Sequence, residues 1–246
     1  MNNVLLVRRA GSRFYERTQN RERWLTFATE APDEVAGFGG LQSIDEVRWG
    51  PQASTRLLAS DTPTEVITYV RAGRLIRRDA EDRSSIFDAG SFERVRPGPD
   101  WACSELNPSS THFVHFFRIS LRSPLPAVED QVECLRFSEG ERKQRMLLVA
   151  SQGGGPVTLT LTQDASVFSM LLYPGQQAAR TLHPGRCAWF HVVHGSVSLG
   201  DLVLERGDGV GIGGGSLSVA AREHSEVLVV ELPHPPGMRH LESDEL

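Results

Sequence analysis

The sequence predicts an all-β protein made of two tandem β-barrels with few short helices. Three observations carry that expectation. Runs of four to ten residues rich in Val, Ile, Phe and Thr recur along the chain, among them "EVITYV", "HFVHFFRISL", "VFSMLLY" and "EVLVVEL", and 23 glycines and 14 prolines interrupt them at short intervals. A faint internal repeat is present: "EVITYVRAGRLIRRD" followed by "DAGSFERVRPG" has the same order of strand, turn glycine and strand as "WFHVVHGSVSLGD" followed by "ERGDGVGIGGG". Gly73 then corresponds to Gly195 and Gly90 to Gly207. Finally, the stretch from Arg122 to Gln144 is charged, carries prolines and lacks strand periodicity, as a connector would.

Taken in order, these features place a first barrel at residues 1–125, a linker at 126–144, a second barrel at 145–233 and an acidic tail at 234–246 ending in "ESDEL". Helix formers cluster only in "SEGERKQRMLLVAS", Ser138 to Ser151, which reads either as a helical turn leading into a strand or as a charged linker.

Composition narrows the function. A net charge of -5 supplies no broad basic surface for phosphates, so direct nucleic-acid binding is not expected, and the basic cluster Arg74, Arg77 and Arg78 reads as a solvated strand edge. "MNNVLLVRRAGSRF" has too short an apolar run for a signal peptide or a membrane span, and a cytoplasmic monomer is expected. Three separated cysteines, Cys103, Cys134 and Cys187, argue against a disulfide framework or a structural zinc site.

Two stretches, "STRLLASDTPTEVITYVRAG" and "GPDWACSELNPS", have the rhythm of barrel metal-binding motifs but contain no histidine. None of the eight histidines forms an H-x-H pair, and both His112/His115 and His191/His194 are three apart, a spacing that turns strand side chains to opposite faces. The polar residues near the two stretches are Asp61, Glu65, Cys103 and Glu105. Cys103 and Glu105 are two apart and share one face of an extended chain. Beside a carboxylate the Cys103 thiol is expected to have a raised pKa; it is either a reactive thiol or a small buried hydrophobe.

The blocks "GFGGLQSIDEVRWGP", "EVITYVRAGRLIRRD", "DAGSFERVRPGPDWACSELNPS" and "VHFFRISL", with "LTQDASVFSMLLYPGQ" and "FHVVHGSVSLGDLVLERGDG" in the second half, resemble the pirin family of bicupins. The resemblance implies two tandem cupin barrels of jelly-roll type with one metal, typically iron, in the first. It also implies a function drawn from a family that includes a transcriptional coregulator and bacterial quercetin 2,3-dioxygenases. The family's ligands, an H-x-H pair and an H-x-E pair, fall on Ala59 and Asp61 and on Cys103 and Glu105, so only Glu105 is retained. The expectation is therefore a degenerate site without metal or other cofactor, binding a small molecule in the N-terminal barrel in a redox-responsive or regulatory role, with a protein partner as a further option. The alternatives are a quercetinase-like dioxygenase with an altered Asp61/Cys103/Glu105 metal site, or a metal-free isomerase or cyclase using Glu105 as base, with Cys103 beside it. An open cavity favours chemistry; a plug formed by Trp101, Phe92 or Leu58 favours binding or structure.

Overall fold

A computed structural model describes residues 4–27, 37–60 and 62–234. The described chain is nearly all β, with one 3-10 turn at Ala10–Ser12 and one short α-helix, α1 (Glu139–Arg142). Its described residues divide into two compact units, one of residues 14–27, 41–60 and 62–137, the other of residues 4–13, 37–40 and 138–234. In chain order the first strands are β1 (Val4–Arg8), β2 (Phe14–Thr18), β3 (Arg21–Leu25), β4 (Leu41–Trp49), β5 (Ser54–Leu58), β6 (Thr64–Ala72) and β7 (Arg74–Arg78). They are followed by β8 (Ser84–Asp88), β9 (Ser91–Arg96), β10 (Ala102–Leu106), β11 (Val114–Arg122) and β12 (Gln131–Arg136).

The N-terminal unit sets a seven-stranded sheet, β12-β9-β6-β11-β4-β3-β2, with a four-stranded one, β5-β10-β7-β8. Strict alternation decides what each strand contributes. Val47 and Trp49 of β4, Val70 of β6 and Phe116 of β11 form one buried cluster with Leu75 of β7 and Phe87 of β8. The opposite face of the larger sheet is also buried, at Ile44, Ile67, Tyr69, Phe92, Phe117 and Ile119, with Tyr69 stacked on Phe92 at 4.3 Å. Burial on both faces explains why β6 and β11 read as near-continuous apolar runs.

The remaining strands are β13 (Leu147–Gln152), β14 (Leu159–Leu161), β15 (Ser166–Leu172), β16 (Gln177–His194), β17 (Ser196–Leu199), β18 (Leu202–Glu205), β19 (Gly209–Ala221) and β20 (Ser225–Pro233). They form one sheet, β14-β13-β15-β20-β16-β19-β17-β18, in which β1 pairs with β19. The register of β16 shifts between Leu182 and Cys187, an irregularity of the kind that lets a strand turn a corner, and residues from both parts of β16 line one apolar core. No sheet closes into a hydrogen-bonded ring among the described residues, so each expected barrel is an open roll.

The repeat has a physical basis. Gly73 and Gly195 both have φ +81°, and Gly90 and Gly207 have φ +89° and +86°. A Cβ at Gly73 would stand 2.8 Å from the Phe113 carbonyl oxygen, and one at Gly195 would collide with that of His224. Both turns therefore require glycine for conformation and for space.

One expectation changes, and one open reading is resolved. The segment expected as a linker contains β12, which pairs with β9 over six residues at the edge of the larger sheet. Val132, Cys134 and Arg136 on this edge strand face solvent, and a strand wet on one face and half-covered on the other shows little hydrophobic alternation. In Ser138–Ser151 the first of the two readings holds: Ser138 and Glu141 form a capping box over α1, and the chain continues into β13. The acidic tail lies outside the described residues. Among those residues no helix is long and apolar enough to cross a membrane.

Candidate functional site

Strand β10 puts Cys103 and Glu105 on one buried face, as their spacing predicts, with Cys103 4% and Glu105 0% exposed. Cys103 lies opposite Leu57 on β5, and Glu105 lies between Thr55 on β5 and Arg77 on β7. Ala59 follows β5 and ties its backbone N–H to the Trp101 carbonyl at 2.9 Å, but its side chain has no donor atom. Asp61 lies outside the described residues. Glu65 belongs elsewhere: it faces the other side of the larger sheet, where it pairs with Arg94. The Asn107 of the Asn-Pro motif is structural, its side-chain amide donating to the carbonyls of Gly50 at 2.9 Å and His112 at 2.8 Å.

Two arginines complete the site. Arg77 donates from Nη2 to Glu105 Oε1 at 2.6 Å and from Nε to the same oxygen at 3.2 Å, and its Nη1 stands 2.5 Å from Glu93 Oε2. Arg118 of β11 donates from Nη2 to the other oxygen, Glu105 Oε2. Arg77 lies 5.8 Å from the ring centroids of both Phe87 and Trp101, and Arg118 lies 5.1 Å from that of Phe116. The guanidinium groups are thus fixed by aromatic faces as well as by the carboxylate.

Reading Arg77 as part of a solvated edge is therefore wrong. Alternation along β7 turns Arg74, Ile76 and Arg78 one way and Leu75 and Arg77 inward, and the basic character of the run conceals that phase. Arg118 left a clearer signal in "VHFFRISL": a lone cation inside an apolar strand requires a buried counter-charge. Glu93 is the other residue missed.

The ionisation pattern follows from this arrangement. Burial opposes the Glu105 charge, but Arg118 and Arg77 outweigh it and hold the carboxyl below its usual range. Burial pushes Glu93 up to about 7 despite Arg77, with Glu105 adding repulsion. Burial also pushes the Cys103 thiol up to about 11, Arg77 pulling it down and Glu105 pushing it up. The thiol is a weak nucleophile at neutral pH.

Two cavities meet at the cluster. One of about 360 Å³ lies among strands of both sheets and is lined by Arg77, Arg118, Leu57, Val66, Val95 and Trp101. The other, of about 650 Å³, is lined by Arg77, Glu93, Cys103 and Trp101. None of the residues considered as plugs fills the site: Leu58 is 66% exposed, Phe92 lies on the opposite face of its sheet, and Trp101 forms part of the walls.

The described residues at these positions, Ala59, Cys103 and Glu105, do not fit a catalytic metal. Both Glu105 oxygens already bind guanidinium, Ala59 offers no ligand and the Cys103 thiol resists ionisation. A cation on Glu105 would stand within about 5 Å of the guanidinium nitrogens, since a metal–oxygen bond adds only about 2.1 Å. No His/Cys/Asp/Glu group of three suits a metal among the described residues. Two of the described histidines are engaged elsewhere: His112 is exposed with Nδ1 2.8 Å from the Thr111 hydroxyl, and His115 Nε2 lies 3.0 Å from Glu46.

Residues 148–232 match the quercetinase C-terminal cupin domain. The chain is 26% identical to the quercetin 2,3-dioxygenase of Escherichia coli K12 over 94% of this chain and 99% of that one. The crystal structure of YhhW from Escherichia coli superposes with a TM-score of 0.84 at 24% identity, over 96% of this chain and 99% of that one. A nickel(II) complex of the bacterial pirin YhhW gives a TM-score of 0.83 at 25% identity, over 93% and 99%. Two β-rolls in one chain, the first with a polar interior, define a bicupin. Over nearly its whole length the chain is similar to these bacterial proteins, one of them a bacterial pirin.

Proposed function

We propose that this chain is a pirin-family bicupin that binds a small molecule in its N-terminal unit without a metal, in a regulatory or redox-responsive role, with Arg77 and Arg118 supplying the positive charge at Glu105. The observation that carries this reading is the bracketing of Glu105: each carboxylate oxygen accepts from a different arginine. That arrangement neutralises the one ligand retained at the family's metal positions. It also disfavours Glu105 as a general base, because the carboxylate is held ionised and both its oxygens are occupied.

A second reading, a quercetinase-like dioxygenase with an altered metal site, is favoured by the relatives that bear that name. One experiment separates the two. Protein purified without chelator is assayed for Fe, Mn, Ni, Cu and Zn, and for dioxygen uptake with quercetin before and after each metal is added. The proposal expects well under one equivalent of metal and no quercetin-dependent uptake. A stoichiometric metal, or uptake restored by one of the added ions, would overturn it.

A further inference from the structure

The geometry points to a small organic carboxylate, with a body of one or two rings, as the ligand of the cavity between the two sheets of the N-terminal unit. Arg118 is its anion-binding group. The inference rests on the metal-free reading of the same site.

Arg118 differs from its neighbour in what remains unused. Arg77 is 8% exposed, hydrogen-bonds through Nε and Nη2 to Glu105 and holds Nη1 2.5 Å from Glu93 as an ion pair. Arg118 is 19% exposed, and only its Nη2 is engaged by a protein acceptor among the described residues. A guanidinium has five N–H donors in a planar fork matched to a carboxylate. Glu105 and the Phe116 ring hold this fork in place, so little conformational freedom is lost when a ligand arrives.

The cavity walls agree with such a ligand. Arg118 lines both the 360 Å³ cavity and a neighbouring one of about 420 Å³. Three arginines, Arg23, Arg77 and Arg118, face the smaller cavity against one carboxylate, Asp45, which is itself paired with Arg23 at 2.7 Å. Glu105 and Glu93 stand behind the arginines, and burial keeps Glu93 partly protonated at neutral pH. The residual charge at the mouth therefore favours an anion. Leu57, Val66, Val95 and Trp101 supply an apolar wall for a ring, and Ser43 and Ser120 offer hydroxyls at the edge. A volume of this size admits one or two rings, at the low end of small-molecule sites.

The test titrates the full chain with benzoate and 2-naphthoate, and with benzamide and 2-naphthamide as neutral isosteres, by calorimetry and ligand-observed NMR. Both acids are expected to bind, 2-naphthoate more tightly, and each amide at least about tenfold more weakly than its acid. Arg118→Gln and Arg118→Lys should each weaken the acids by at least about tenfold, the lysine because it keeps the charge but loses the fork. If Arg118→Gln fails to fold by circular dichroism, Arg118→Lys still decides, since it leaves a cation beside Glu105. Equal binding of acids and amides, undiminished binding by Arg118→Lys, or no binding of either acid at 10 mM would sink the inference, where 10 mM is about the weakest affinity worth calling a site. Metal content is measured on the same samples. Acid binding that vanishes on chelation overturns the metal-free reading and this inference together; a metal-free protein that ignores both acids overturns this inference alone.

Discussion

The two units follow one strand plan and fill their interiors in opposite ways. Counted from the paired turn glycines and the strand registers, Arg77 corresponds to Leu199, Glu93 to Val210, Cys103 to Leu217, Glu105 to Val219 and Arg118 to Val229. The five counterparts are at most 3% exposed and belong to a single apolar core. The same backbone therefore folds around a dry hydrophobic interior in one unit and around five ionisable side chains in the other. The fold itself does not require these charges, and the cavities beside them are why the proposed ligand is placed in the N-terminal unit.

The largest effect that would test this contrast is on stability. Glu105→Ala strands Arg77 and Arg118 without their shared carboxylate and should cost about 3–5 kcal/mol. Replacing all five residues by their C-terminal counterparts (Arg77→Leu, Glu93→Val, Cys103→Leu, Glu105→Val and Arg118→Val) should instead leave the protein folded, and neutral to about 4 kcal/mol more stable, because no buried charge remains unpaired. Urea unfolding of both variants checks this. If the single change is mild, or the fivefold change unfolds the chain, the equivalence of the two interiors is wrong.

A smaller effect concerns pH. Glu93 keeps its proton in the folded state up to about 7, whereas in the unfolded chain it ionises near 4.5. The folded state thus binds the extra proton between those values, and Glu93 makes stability fall as pH rises through that window. Glu105 acts in the opposite sense: its pKa is held low, so its contribution is lost as pH drops below the ordinary carboxylate range. Glu93→Gln should flatten the decline between pH 4.5 and 7 in the unfolding midpoint. An unchanged slope in that variant would show that Glu93 titrates normally.

The smallest expected effect is on thiol reactivity. Cys134 is exposed on an edge strand, Cys103 is buried in the cluster and Cys187 is buried in the C-terminal unit. Burial pushes the Cys103 thiol to about 11 and that of Cys187 to about 12, whereas Cys134 stands open to solvent, so access separates Cys134 from the other two. Mass spectrometry after mild peroxide should find oxidation at Cys134 first, then Cys103, then Cys187. Oxidation concentrated at Cys103 would instead mark that thiol as the redox-responsive element.

The apolar runs that became β6, β11, β15 and β20, the glycine turns and the placement of Cys103 and Glu105 on one face were determined by the sequence alone, because each depends on a short-range period or on a backbone angle that few residues adopt. The short edge strand Gln131–Arg136 was not legible, since an edge exposed on one face loses the apolar alternation that marks a strand. The charge cluster was decided only in three dimensions. Arg77, Glu93 and Arg118 come from three strands and lie 16 and 25 residues apart in sequence; Arg77 and Glu93 look ordinary within their own runs, and the lone cation Arg118 shows that a counter-charge is needed but not which one. An ion pair leaves no periodic trace along a chain. It is fixed by strand registers that bring β7, β9, β10 and β11 around one interior, and by the low polarity there, which obliges every buried charge to find its counter-charge.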